Sequence, residues 1–244
     1  MPLLSLPNRL IWFAHCPKAG GTSVEQLMVA RWGRAVDHLH WGWDLWWRRG
    51  GWRVADPPNS PQHLVWADAE KLLGTRPDVV FALVRDPAAR MASEYRWQRR
   101  HRRGTWAGRV LAFLPFGVWL RLMLSVARRN PHAFDNHFRP QSEFVPEGAE
   151  VFHLENGLGS VAAWLSEVTG EALAGSDLPH AIPSGAGPAC SPACLGLIAG
   201  VFAEDYARFG YRRPVDSAPV ARREGLGFRL LVALVAWAER RGLV

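Results

Sequence analysis

The sequence predicts an α/β fold, and two copies of one local pattern together with a glycine-rich loop predict it. Residues 10–14 (LIWFA) and 79–84 (VVFALV) are short apolar runs bounded by polar or turn-forming residues, the pattern of strands buried on both faces of a parallel sheet. Each run leads through a polar loop into apolar residues at helical spacing, so the chain repeats the strand-loop-helix unit of α/β proteins. In such folds ligands gather at the carboxyl ends of the strands, which is where the glycine-rich loop falls. The chain has 244 residues, 48% hydrophobic and 21% charged, which excludes a disordered or fibrous protein and suits one domain with an appendage or two small domains.

The elements follow in order. The first run continues as His15-Cys16-Pro17-Lys18-Ala19-Gly20-Gly21-Thr22, and then as a helix over residues 23–32 with Val24, Leu27, Met28 and Ala30 on its apolar side. Residues 32–52 hold six of the 13 tryptophans and read, to about residue 61, as an irregular aromatic insertion that ends in the turn sequence DPPNSP. Residues 62–66 suit a further strand and 67–73 a helix. After the second run come Arg85-Asp86-Pro87 and a helix from about Ala88, with Met91, Tyr95 and Gln98 three or four apart. Residues 106–129 form an apolar helical stretch bent at Pro115. Residues 150–154 read as a third core strand, 161–168 as a helix, 176–192 as a Pro/Gly/Ser loop, 193–209 as a helix and 228–240 as a terminal amphipathic helix. The expected organisation is a domain over 1–213, with the aromatic insertion at about 32–61, and a C-terminal extension over 214–244.

Charge and cysteine content narrow the function classes. The formal charge is +7, carried by 27 arginines and only two lysines, Lys18 and Lys71, so anionic partners are expected. Three cysteines are too few for a disulfide framework, and Cys190 and Cys194, spaced C-x3-C without a histidine pair, do not read as a metal site. No signal peptide is evident, and the longest apolar run, 110–120, is interrupted by Pro115 and Gly117 and far short of a membrane span of about 20 residues. The expectation is a cytoplasmic protein without a transmembrane helix, able to touch the inner membrane surface peripherally.

The chemistry concentrates in Pro17-Lys18-Ala19-Gly20-Gly21-Thr22-Ser23. Two glycines let the backbone turn tightly and approach an anion, the following helix presents its positive end, and Thr22 and Ser23 add hydroxyls. The loop is not a Walker A sequence, in which the lysine follows the last glycine; here Lys18 precedes the pair. The residue after the second strand is Arg85, where a nucleotide triphosphatase would offer an acidic Mg²⁺ ligand, so a metal-free anion transfer is expected. Arg85 can fork onto a phosphate, and Ser93, two turns into the next helix, can face the same anion. Asp86 also reads as a plain helix cap and Arg90 as a surface residue.

Together these motifs resemble the sulfotransferases that use 3′-phosphoadenylyl sulfate (PAPS), especially the branch of Golgi carbohydrate sulfotransferases and their bacterial relatives. The resemblance covers roughly residues 9–212 and extends through Asp135-Asn136-His137-Phe138-Arg139-Pro140-Gln141, Val151 to Asn156 and Tyr206 to Tyr211. It implies a three-layer fold like that of the P-loop NTPases with a central, mostly parallel sheet. It also implies that the 17–23 loop grips the 5′-phosphosulfate and that Arg85 and Ser93 contact the 3′-phosphate. The cosubstrate would then be PAPS and the product the 3′,5′-diphosphate PAP, with no metal required. The acceptor would be a hydroxyl of a carbohydrate or glycolipid; nucleic acid is not an expected partner. The sequence departs from the family before its last core helix, where Ile182 stands in place of an amide and Ser184 follows.

Sulfuryl transfer asks for alignment and charge stabilisation, which makes Lys18 the group for the bridging oxygen. A general base helps the acceptor hydroxyl. His63 is the first choice, because related glycan sulfotransferases place a catalytic histidine in a comparable segment; His137 is the second, and His15 reads as structural. The run Arg96, Arg99, Arg100, Arg102 and Arg103 is either an anion attractor or a solvated helix face, and Trp41, Trp43, Trp46 and Trp47 either stack on a ligand or fill a core. Two rivals stay open: a nucleotide-dependent kinase, and a noncatalytic basic module for membrane or nucleic acid.

Overall fold

The computed structural model describes residues 2–37, 61–73, 76–101, 106–173, 188–214 and 225–241. The chain divides into two compact units, Met1–Arg85 with Gln141–Pro183, and Asp86–Pro140 with Ser184–Val244. The protein is α/β.

The first unit is built on a five-stranded sheet of order β3 (Val36–Asp37), β1 (Leu3–Leu6), β2 (Arg9–His15), β4 (Val79–Val84), β5 (Glu150–His153). Strands β2 (Arg9–His15) and β4 (Val79–Val84) pair in parallel from Ile11↔Val79 to His15↔Leu83, as their continuous apolar sequences require. Ile11, Phe13, Ala14, Phe81, Ala82 and Val84 are fully buried, each larger side chain stabilising the unit by about 1.5–3 kcal/mol. Strand β5 (Glu150–His153) adds in parallel beyond β4 as an edge strand. It is half-buried where the sequence predicts a core strand. β1 (Leu3–Leu6) forms an antiparallel hairpin with β2 across Pro7-Asn8, and the two-residue β3 (Val36–Asp37) runs antiparallel to β1, so four of the five strands point the same way.

Residues 62–66 do not form a strand. Both edges of β2 are occupied, by β1 and β4, so no neighbouring edge of that strand is open. Instead Pro61–His63 makes a 3₁₀ turn, and the Val65 carbonyl accepts from the N–H groups of Asp68 and Ala69 to start the helix α2 (Trp66–Leu73). Helix α1 (Gly21–Trp32) buries Val24, Leu27 and Met28, and its end is fixed by Arg31 and the Trp32 indole N–H on the Glu171 carboxylate just beyond the later helix Gly159–Thr169.

The second unit is helical: α3 (Pro87–His101), α4 (Trp106–Phe113) and α5 (Phe116–Arg129), then, after Gly159–Thr169 (α6) of the first unit, α7 (Pro192–Val201), α8 (Ala203–Arg208) and α9 (Leu226–Glu239). Trp119, Leu120, Met123, Phe138, Phe202 and Val232 belong to its core. The single helix expected over 193–209 is two, because the chain leaves α-geometry at Phe202 (φ −107, ψ 31), whose ring is fully buried.

Helix α3 carries a buried polar ladder on one face, at Arg90, Glu94 and Gln98. Arg90 is therefore not the surface residue of one sequence reading. Its guanidinium donates to the carbonyls of His137 and Arg139 and stacks over the Phe202 ring. Glu94 accepts from Gln98 Nε2 and is hydrogen-bonded to His137 Nδ1, and Gln98 Oε1 accepts from the Trp119 indole. The ladder braces a turn in which Phe134, Asp135 and Asn136 are successively left-handed (φ 55, 56 and 61), a conformation that costs an L-residue about 1–2 kcal/mol.

Candidate functional site

The loop between β2 and α1 alternates in backbone hand. Lys18 (φ 65) and Gly20 (φ 87) are left-handed while the residues around them are not, and alternation of this kind turns successive N–H groups to one side. A lysine held left-handed costs free energy that glycine avoids, and such strain collects where a backbone is set for function. Helix α1 then starts on Gly20 with no side-chain cap and no acid in its first turn, so its positive end is not neutralised locally. Helix α3 differs: Asp86 Oδ1 accepts from the Ala89 N–H at 2.8 Å and closes that terminus, as the capping reading of Asp86 expects.

The two glycines are needed for different reasons. A Cβ on Gly20 would meet Leu154 Cδ1 at 2.8 Å, in the turn that follows β5. One on Gly21 would lie 2.3 Å from two atoms of the His15 ring. The ends of β2, β4 and β5 thus converge on the loop. From the end of β4, Arg85 Nη1 reaches the Lys18 carbonyl at 3.4 Å.

Arg85 is itself held by a residue that sequence reasoning gave no role. Gln141, fully buried, accepts from the Arg85 N–H at 2.9 Å and donates to the Arg85 carbonyl at 2.8 Å, imitating a further rung of the sheet. Gln141→Ala removes both bonds and strands two backbone groups; it is expected to lower stability by about 2–3 kcal/mol and to weaken binding of a phosphorylated ligand, read together by thermal melting with and without PAP.

Beside the loop lies a histidine pair. His15 Nδ1 is 2.6 Å from Glu25 Oε1, with both residues buried, and its ring stacks on Phe13. His63 stands edge-on to His15 with centroids 5.1 Å apart, and Gln62 Nε2 donates to the other Glu25 oxygen. One buried carboxylate thereby organises the segment that contains His63 and holds the His15 ring in place. The available signal was Glu25 itself: in α1 it is in phase with Gly21 and Met28 on the inward side, where an acid requires a partner.

Of the residues selected from sequence, Pro17 to Ser23, Arg85 and His63 belong to the first unit. Ser93, half-buried on α3, and His137 belong to the second. Ile182, Ser184, Arg102, Arg103 and the tryptophans at 41, 43, 46 and 47 lie outside the described residues. Burial, then Cys194 and Asp86, push the Cys190 thiol up from its ordinary range.

A cleft of about 390 Å³ lies elsewhere in the first unit, at the amino-terminal starts of β4 and β5. Asp78, Glu147 and Glu150 outnumber Arg76 on its walls, the wrong sign for a phosphate, and the wrong ends of the strands for a ligand in this architecture. The loop is the candidate site. Comparison with protein-family models, with curated proteins and with solved structures finds no match.

Proposed function

We propose that the protein is a sulfotransferase that moves the sulfuryl group of PAPS to a hydroxyl of a carbohydrate or glycolipid, on a three-layer fold like that of the P-loop NTPases. The observation that carries the reading is the loop: a lysine ahead of the glycine pair, left-handed backbone at Lys18 and Gly20, an uncapped helix start, and an arginine anchored at the end of the adjacent parallel strand. On this reading the catalytic domain covers 1–213, and the setting is the cytoplasm.

The roles follow from the chemistry. The backbone N–H groups of the loop, with Thr22 and Ser23, hold the 5′-phosphosulfate. Lys18 places a compact positive charge at the bridging oxygen, where charge grows as the S–O bond to phosphate breaks. Arg85 holds the 3′-phosphate, a role that the resemblance also gives to Ser93. His63 takes the acceptor proton as the acceptor oxygen bonds to sulfur, and PAP leaves. The Glu25 carboxylate supports this arrangement through His15 and Gln62. Lysine placement ahead of the glycines, and Arg85 in place of an acidic Mg²⁺ ligand, favour this over the kinase.

Binding and turnover test the reading separately. PAP is expected to raise the melting temperature more than ATP with Mg²⁺ does; the reverse order supports the kinase. Labelled PAPS incubated with glycan and lipid extracts is expected to give labelled product. His63→Ala is expected to abolish transfer while PAP still binds, and near-normal turnover in that variant rules out His63 as the base.

A further inference from the structure

We propose that α9 is a membrane-docking helix whose outward stripe of Leu226, Leu230, Leu234 and Trp237 inserts into an anionic lipid surface. These four side chains are 73%, 62%, 48% and 40% exposed. At 3.6 residues per turn they fall within an arc of about 80° on one side of the helix. The opposite side, with Val232, Val235, Ala236 and Ala238, is buried in the second unit, so the helix cannot turn its exposed leucines inward. Folding of the unit uses one apolar face of α9 and leaves a second one in water. A contiguous apolar stripe of this kind marks an interaction surface.

The charge around the stripe selects the partner. Helix α9 with the two residues after it, and α5, which packs on it, carry Arg121, Arg128, Arg129, Arg229, Arg240 and Arg241 against one carboxylate, Glu239. That carboxylate is engaged, accepting from the Phe134 N–H at 3.0 Å. Arg121 of α5, which packs on α9, lies over the Phe228 ring, and Arg241 lies 4.3 Å over the Trp237 ring. Leucines for insertion, a tryptophan with a guanidinium at one end, and an arginine rim are the composition of a helix that lies in a lipid interface. A second copy of the chain would set one arginine rim against another. No helix among the described residues is long and apolar enough to cross a membrane, so α9 lies on the surface and does not span it.

The proposal does not depend on the nucleotide reading, and Lys18→Ala is expected to leave it intact. The full chain is sedimented with vesicles of phosphatidylcholine alone and with added phosphatidylserine. Binding is expected to be at least about tenfold tighter with phosphatidylserine, to weaken as salt is raised, and to fall about fivefold for each arginine removed by Arg240→Gln and Arg241→Gln. Leu230→Asp with Leu234→Asp is expected to lower binding at least about tenfold with an unchanged circular dichroism spectrum. Should that pair disturb folding, the single Leu234→Gln, at an exposed position, is expected to give a smaller loss in the same direction. Equal binding to both vesicle types, or parental binding by a folded Leu230→Asp/Leu234→Asp chain, overturns the proposal. So does light scattering that shows a dimer which Leu230→Asp dissociates, since the stripe is then an interface between copies.

Discussion

Replacing Lys18 by arginine is expected to reduce turnover about 10²–10³-fold while PAP binding falls only a few-fold. Both side chains are cationic, and both meet the same backbone requirement at position 18, since neither tolerates a left-handed φ of 65 better than the other. Arg85 still reaches the position-18 carbonyl, so the loop keeps that anchor. What changes is the shape of the charge. An ammonium is a compact point that can sit on one bridging oxygen; a guanidinium is a planar fork that spreads its charge over two directions. Loss of kcat with retained PAP binding places Lys18 on the breaking bond. Unchanged turnover would show that charge alone suffices and would remove Lys18 from that role. With 27 arginines in the chain, retention of a lysine here is the chemical choice under test.

Gly21→Ala is expected to destabilise the protein by about 3 kcal/mol and to abolish PAP binding. Helix propensity alone points the other way, because alanine in a helix is favoured over glycine by about 1 kcal/mol. The His15 ring reverses the sign. It lies against the new Cβ, and it cannot step aside without giving up its 2.6 Å contact with the buried Glu25 carboxylate. Pairing Gly21→Ala with His15→Ser removes the steric clash. Thermal melting of the two single variants and the double is expected to give a coupling above about 1 kcal/mol, the double being less damaged than the sum of the singles. Strict additivity would mean that Gly21 is required for a reason other than the imidazole.

The sequence made legible what is local. The apolar runs that became β2 and β4 are buried on both faces, and continuity of apolar residues is sufficient to mark them. The loop glycines were legible because a tight turn between strand and helix favours glycine, and Lys18 because the chain has only one other lysine. Pairing was not legible. Residues 62–66 have strand-like composition, but the edge of β2 that they could have used belongs to β1, which is only four residues long. Arg90 looked exposed because arginine usually is; its burial is decided by two carbonyls 47 and 49 residues away. Gln141 and the His15–Glu25 pair escaped for the same reason. Their partners lie 56 and 10 residues away; helical phase marks Glu25 as inward but does not name the partner.

The clasp between Arg85 and Gln141 has a meaning for chain connectivity. The first unit loses the chain after Arg85 and regains it at Gln141, so the clasped residues are the two ends of a 55-residue excursion, Asp86–Pro140. Bringing the ends of a loop that long together costs roughly 3.5 kcal/mol of chain entropy beyond a constant term. Two reciprocal hydrogen bonds meet part of that cost at the point where it is incurred. The first unit's sheet is thereby closed over the gap, and the length or content of the excursion can change without altering how β4 ends. Arg85 sits on the joint. The residue proposed for the 3′-phosphate is the one whose place is held for as long as the excursion's ends stay tied.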